Sequence, residues 1–261
     1  MKAQILKTIN SLLLSKKPLI SGILNITPDS FLDGGKYFQI EDAIKHVEDL
    51  INNDVDIIDI GGESTRPDAE LISEEEELKR IIPVIYEIKK RFPEVFISVD
   101  TYKANVAQLA LNAGAKMIND VSGLTMDPDM VHIAAKANCP VVIMHNNGIP
   151  ATKSNKSNKN IVQEVYAWLQ TQSKYAIDNG IKKENIIIDP GIGFGKTPEE
   201  NLCLIDNLRE FKSLGFPILV GSSRKSFIRK LFGEENIEKK SKEIIELAVR
   251  NGADIVRVHK P

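Results

Sequence analysis

The chain has 261 residues, of which 42% are hydrophobic and 27% charged, enough apolar material for one large core. A formal net charge of −2 and a pI of about 6.2 give no chain-wide attraction to nucleic acid or to an anionic membrane surface. No stretch reaches the roughly eighteen uninterrupted apolar residues of a membrane span, and the basic residues on both sides of the first apolar patch do not resemble a cleaved leader.

Residues 1–17 read equally as a short helix or a strand pair, either of which would close the bottom of a barrel. Leu19 to Leu24 form the first buried strand. It empties into a loop dense in turn formers and oxygen ligands, with Asn25, Asp29 and Asp33. Helical spacing follows at Ile40, Ala43, Ile44, Val47 and Ile51, and then the strand Val55 to Ile60, which runs into Gly61-Gly62-Glu63-Ser64-Thr65-Arg66-Pro67. A helix from Ser73 to Phe92 opens with an N-cap serine and Glu76 placed for a capping box.

Short apolar strands then recur at Val95–Val99, Met117–Ile118, Val141–Met144, Ile186–Ile188, Ile218–Val220 and Ile255–Val258. Gly114 and Gly252 stop the helices ahead of two of them. Asn146 to Asn160, rich in Asn, Ser and Lys, reads as a loose loop. Eight strands alternating with helices predict a (β/α)8 TIM barrel in one domain, residues 1–261, with 1–17 as its cap. Cys139 and Cys203 have no metal-ligand spacing and read as reduced thiols of a cytoplasmic protein.

In such a barrel the chemistry sits beyond the carboxyl ends of the strands. Those positions carry Asn25, Glu63 to Arg66, Asp100, Asn119, His145, Asp189, Lys225, and Arg257 with His259. Each has a plain structural reading. Asp100 could cap the helix starting near Lys103, Asn119-Asp120 could be a helix-entry turn, Gly193 to Lys196 a structural turn, and His145 a packed histidine. Taken together, Asp100 and Asp189 need hydrogen-bond donors if buried, and their neighbouring strand ends show no excess of basic residues. A flat ligand with several N–H groups would supply those donors. Arg66, Lys225, Arg257 and His259, near a loop of oxygen ligands, suit a diphosphate held with magnesium.

The segments Gly22-Ile23-Leu24-Asn25-Ile26-Thr27-Pro28-Asp29-Ser30-Phe31 and Asp59-Ile60-Gly61-Gly62-Glu63-Ser64-Thr65-Arg66-Pro67 resemble the two signatures of the dihydropteroate synthase family. Ser98-Val99-Asp100-Thr101, Ile118-Asn119-Asp120, Asp189 to Lys196, Ser223-Arg224-Lys225-Ser226 and Arg257-Val258-His259 follow in that family's order. The resemblance implies condensation of 6-hydroxymethyl-7,8-dihydropterin diphosphate with 4-aminobenzoate to 7,8-dihydropteroate in folate biosynthesis. By the same resemblance Asp100, Asn119 and Asp189 would hold the pterin, with Lys225 bridging toward the aminobenzoate. Arg257, His259 and Thr65 would hold the diphosphate, and Asn25 a Mg2+ ion. Phe31, Arg66, Pro67, Phe194 and Ser226 would shape the aminobenzoate pocket, where sulfonamides compete, and a homodimer is expected.

Two departures stand out: Asp68 where the family commonly has glycine, and Lys260-Pro261 where it continues into a final helix, so the eighth strand is expected to lack its outer helix. A corrinoid-dependent methyltransferase would share the pterin pocket but would not need Lys225, Arg257 and His259. An inactive pterin-binding barrel is the other alternative.

Overall fold

A computed structural model describes residues 9–14, 18–27, 36–64, 69–148, 160–223 and 225–259. The strands are β1 (Leu19–Asn25), β2 (Ile57–Gly61), β3 (Phe96–Asp100), β4 (Met117–Asp120), β5 (Val141–Met144), β6 (Ile186–Asp189), β7 (Leu219–Val220) and β8 (Ile255–Val258). All pair in parallel in the order β6-β5-β4-β3-β2-β1-β8-β7, and a bridge between Ile188 and Ile218 brings the two edges together. The connections are helical: α2 (Lys36–Asn52), α3 (Glu74–Arg91), α4 (Ala104–Ala113), α5 (Met130–Ala137), α6 (Ile161–Asp178), α7 (Pro198–Asp206) with the short α8 (Leu208–Phe211), and α9 (Ser226–Phe232) with α10 (Ile237–Arg250). This is the expected (β/α)8 barrel.

Within residues 1–17, read from the sequence as helix or strand pair, the described residues 9–13 are helical, and 1–8 and 15–17 lie outside the described residues. The short α1 (Ile9–Leu13) puts Ile9 against Leu19, Ile57, Phe96, Met117, Val142, Ile187, Leu219 and Ile255, one residue from each strand, forming an apolar floor. Side chains on a strand alternate faces, so two residues further along each strand lies the next inward ring. Read off the same strands, that ring is Ser21, Asp59, Ser98, Asn119, Met144, Asp189 and Arg257, with Gly221 directly after β7. The barrel thus changes from hydrocarbon to polar within one layer. The outward face packs on the helices. Gly22 faces α2, where an added Cβ would meet Leu50 at 3.0 Å.

Strand ends run slightly further than the apolar runs implied, taking in Asp100, Asn119, Asp120 and Asp189. Ser73 does cap α3, accepting from the Glu76 N–H at 3.2 Å, but the capping box is incomplete: the Glu76 carboxylate accepts from Arg80 Nε at 2.8 Å instead. Gly114 closes α4 at φ 123°, a conformation that favours glycine. Residues 149–159 of the loop after β5 lie outside the described residues, as do 260 and 261. Among the described residues no helix is long and apolar enough to cross a membrane.

Candidate active site

The second inward ring forms the floor of the site. Arg257, on β8, donates through Nε to Asp59 Oδ2 at 2.5 Å and through Nη2 to Asp100 Oδ2 at 2.6 Å. Asn119 Nδ2 donates to the same Asp59 oxygen at 3.0 Å. One guanidinium therefore serves two carboxylates. The Asp100 and Asp59 side chains are largely buried, at 13% and 1% exposure. Burial opposes the Arg257 charge, but Asp59 and Asp100 outweigh it and raise its pKa. Burial also raises the Asp100 carboxyl above the usual carboxylate range, with Arg257 opposing and Asp59 adding to the rise.

This corrects one sequence inference. The carboxylates of this half do have a basic partner, brought across the barrel from β8. It also replaces the helix-cap reading of Asp100: the N-cap of α4 is Lys103, and the Ala104 N–H is taken by Asp127 at 2.8 Å.

Asp189 closes the ring on the opposite side. Its Oδ1 accepts from the Gly191 N–H at 2.7 Å, and burial pushes its carboxyl up to about 6, opposed by that N–H and by Lys225, Lys196 and Arg257. Lys225, at the start of α9, lies with Nζ 4.2 Å above the Phe194 ring. Its stem is so close to Gly193, φ 85°, that a Cβ there would fall 2.9 Å from Lys225 Cδ. Ser226 is the exposed first residue of that helix. His259 packs beside Ser223, Nδ1 to Oγ 3.3 Å. Asn25 ends β1 beside Gly61 and Asp100, a Cβ placed on Gly61 lying in ordinary contact with both, 3.6 Å from Asn25 Oδ1 and 3.5 Å from Asp100 Cβ. Of the other residues singled out from the sequence, Phe31, Thr65, Arg66 and Pro67 lie outside the described residues.

Several plain readings hold. Asp120 takes the N–H groups of Ser122 and Leu124 at 2.8 and 3.0 Å, a turn-forming role. His145 is buried edge-on to Trp168, ring centroids 5.1 Å apart, and burial lowers its pKa to about 3. Lys196 turns inward onto backbone carbonyls. Cys139 and Cys203 are free thiols, with burial pushing Cys139 up to about 12.

Two features escaped the sequence reading. Asp59 was visible as a charge in the middle of Ile57-Ile58-Asp59-Ile60, which a buried strand does not otherwise tolerate. The second is a support beneath the loop after β2. Lys103 Nζ donates to Glu63 Oε2 at 2.9 Å and to the buried Glu77 Oε2 at 2.7 Å, while Glu63 Oε1 accepts from the Ile72 N–H at 2.6 Å. Nothing in the local sequence pairs residues so far apart.

Residues 21–259 match the family described as pterin binding enzyme. The dihydropteroate synthase of Clostridium beijerinckii is 47% identical over 249 residues, 94% of this chain and 90% of that protein. The chain belongs to the dihydropteroate synthase family. Among solved dihydropteroate synthases, that of Clostridium difficile in the presence of pteroic acid superposes with a TM-score of 0.87 at 43% identity, covering 94% of this chain and 91% of that one. The Xanthomonas albilineans enzyme with 4-aminobenzoic acid gives a TM-score of 0.87 at 40% identity, over 94% and 88% of the two chains. The two signature-like segments take in the carboxyl ends of β1 and β2, with Asn25 and Asp59, and the later segments carry Asp100, Asn119, Asp189, Lys225 and Arg257 of the candidate site.

Proposed function

We propose that the protein condenses 6-hydroxymethyl-7,8-dihydropterin diphosphate with 4-aminobenzoate, releasing diphosphate and 7,8-dihydropteroate. The observation that carries this is a single polar ring. Asp189 and Asn119 share it with the Arg257–Asp59 pair, Asp100 lies one step above, and an apolar floor lies below.

Asp189 presents an acceptor to the pterin's N–H groups, and the Asn119 side chain both donates and accepts. Lys225 bridges the pterin and the aminobenzoate region, stacked on Phe194. Arg257 and His259, with Thr65, take the diphosphate. Phe194 and Ser226, with Phe31, Arg66 and Pro67, border the aminobenzoate. In the reaction the C–O bond to diphosphate breaks first. The positive charge left on the pterin methylene is spread over the ring, the aniline nitrogen forms the C–N bond, and its proton passes to solvent. Buried carboxylates facing a ring that becomes cationic favour that step electrostatically.

Asn25 offers a hard amide oxygen beside Gly61 and Asp100, a donor that fits magnesium shared with substrate phosphates. When bound there, magnesium would offset the negative charge of the leaving diphosphate. The protein is further proposed to act as one barrel domain, in the cytoplasm, as a homodimer. Chromatographic detection of 7,8-dihydropteroate from the two substrates, with and without magnesium, tests the reading. Absence of product under both conditions refutes it.

A further inference from the structure

The turn after β6 buries an ammonium that takes no part in the reaction as described. Lys196 is 8% exposed, and its Nζ donates to the carbonyls of Gly191 at 2.9 Å, Phe194 at 3.2 Å and His145 at 3.3 Å. His145 and Gly191 are the residues that leave β5 and β6, and both also bond Asp189. The His145 N–H donates to the Asp189 carbonyl at 3.0 Å, and the Gly191 N–H to the Asp189 carboxylate at 2.7 Å. Asn201, fully buried on α7, braces the same turn from behind. Its Oδ1 accepts from the Gly193 N–H at 2.6 Å and its Nδ2 donates to the Thr197 carbonyl at 2.8 Å. There is no slack at the centre. Gly191 has φ 72°, and a Cβ on it would fall 1.7 Å from the His145 oxygen and 3.1 Å from Lys196 Nζ.

An apolar side chain would fill this space without the cost of burying a charge. The ammonium does what an apolar group cannot: it gathers carbonyls from two neighbouring strand ends onto one donor. We propose that Lys196 is a positioning residue for Asp189, clamping the backbone that leaves β5 and β6 so that the carboxylate faces the pterin. The inference rests on the functional reading above.

The charges bearing on Asp189 are Lys225, Lys196 and Arg257, and those bearing on Lys196 are Asp189, Glu200, Glu164 and Lys225. Burial lowers the Lys196 pKa to about 7, so the clamp is charged below that pH and loses its charge above it. Removing it raises Asp189 further and lets the turn relax.

The test is calorimetric titration of 6-hydroxymethylpterin into the wild-type protein and Lys196→Met, from about pH 6 to pH 8. Circular dichroism and the emission of Trp168, the one tryptophan, which touches His145, verify the fold. Binding by the variant is expected to be about fivefold weaker near pH 6, where a rise of about one unit from the Asp189 value of about 6 cuts its ionised fraction from about one half to about one tenth, with the gap narrowing toward pH 8. Equal affinity, or a loss of the same size at every pH, overturns the proposal. Should Lys196→Met not fold, Asn201→Ala, which releases Gly193 from the same turn, carries the test: weaker pterin binding supports the clamp and unchanged binding overturns it. A wild-type protein that does not bind the pterin counts instead against the functional reading.

Discussion

Arg257 and Asp100, 157 residues apart in sequence, meet at 2.6 Å across the mouth of the barrel. The contact joins β8 to β3, and the same guanidinium continues to Asp59 on β2. A cation assigned from the sequence to a diphosphate therefore rests, without ligand, on the carboxylates at the pterin end. Arg257→Ala would leave Asp59 and Asp100 buried with no cation in contact, a loss of about 3–5 kcal/mol by analogy with other broken buried pairs. It is also expected to weaken the diphosphate-bearing substrate more than bare hydroxymethylpterin. Denaturant midpoints and calorimetry with the two ligands measure both effects. Equal losses for the two ligands would make Arg257 only a counter-ion for the carboxylates.

Asp189→Asn should keep the Gly191 N–H bond through its amide oxygen and turn an NH2 donor toward the pterin's own N–H groups. Setting donor against donor costs about 2 kcal/mol, or roughly 30-fold in affinity. Because the native carboxylate is buried, the neutral variant should melt no lower than the wild type at neutral pH. Unchanged pterin affinity in calorimetry would move the ring away from Asp189.

Acid should strengthen the ligand-free fold while weakening the site. Burial raises Asp189 and Asp120 to about 6 and Asp100 to about 7, so between about pH 4 and pH 6 the folded state holds protons that the unfolded chain has already released. His145, lowered to about 3, opposes this over about pH 3 to 6.5, and so do the surface residues Glu75, Glu87 and Glu243, lowered by Lys79, Arg91 and Lys240. Solvent screens those surface pairs, however, and the buried Glu77, also raised by burial, adds to the three aspartates. Net stability therefore falls as pH rises through that window, by on the order of 2 kcal/mol. Pterin affinity follows the opposite course, since protonated Asp189 is a poorer acceptor. Melting temperatures at pH 5 and 7 check the sign, and a ligand-free protein that melts lower at pH 5 would refute it.

Lys103→Met should strand Glu63 and Glu77, with a loss of about 3–5 kcal/mol as expected for a broken buried pair. Adding Glu77→Met should restore part of it, because the most buried charge then leaves with its partner. A double variant no more stable than Lys103→Met would show that Glu77 is not the stranded charge. Urea midpoints of the two variants decide.

The barrel was legible because its signals are local: apolar runs of strand length, helical spacing between them, and glycines at helix ends. The polar strand ends were legible for the same reason, since Asp100, Asn119 and Asp189 each follow directly on an apolar run. What remained hidden depends on distance. Arg257 reaching Asp100, Lys103 joining Glu63 to Glu77, and Lys196 folding back onto His145 all pair residues that only the closed barrel brings together. Asp59 lay between the two cases. Its charge inside an isoleucine run was visible, but its partners were not.

The most direct test of the account is a crystal structure of the protein with 6-hydroxymethylpterin bound. The account predicts the ring in the cleft between Asp100 and Asp189, its N–H edge on the Asp189 carboxylate and Asn119 within hydrogen-bond distance. A ring bound elsewhere, or one lying in the cleft without contact to Asp189, would contradict it.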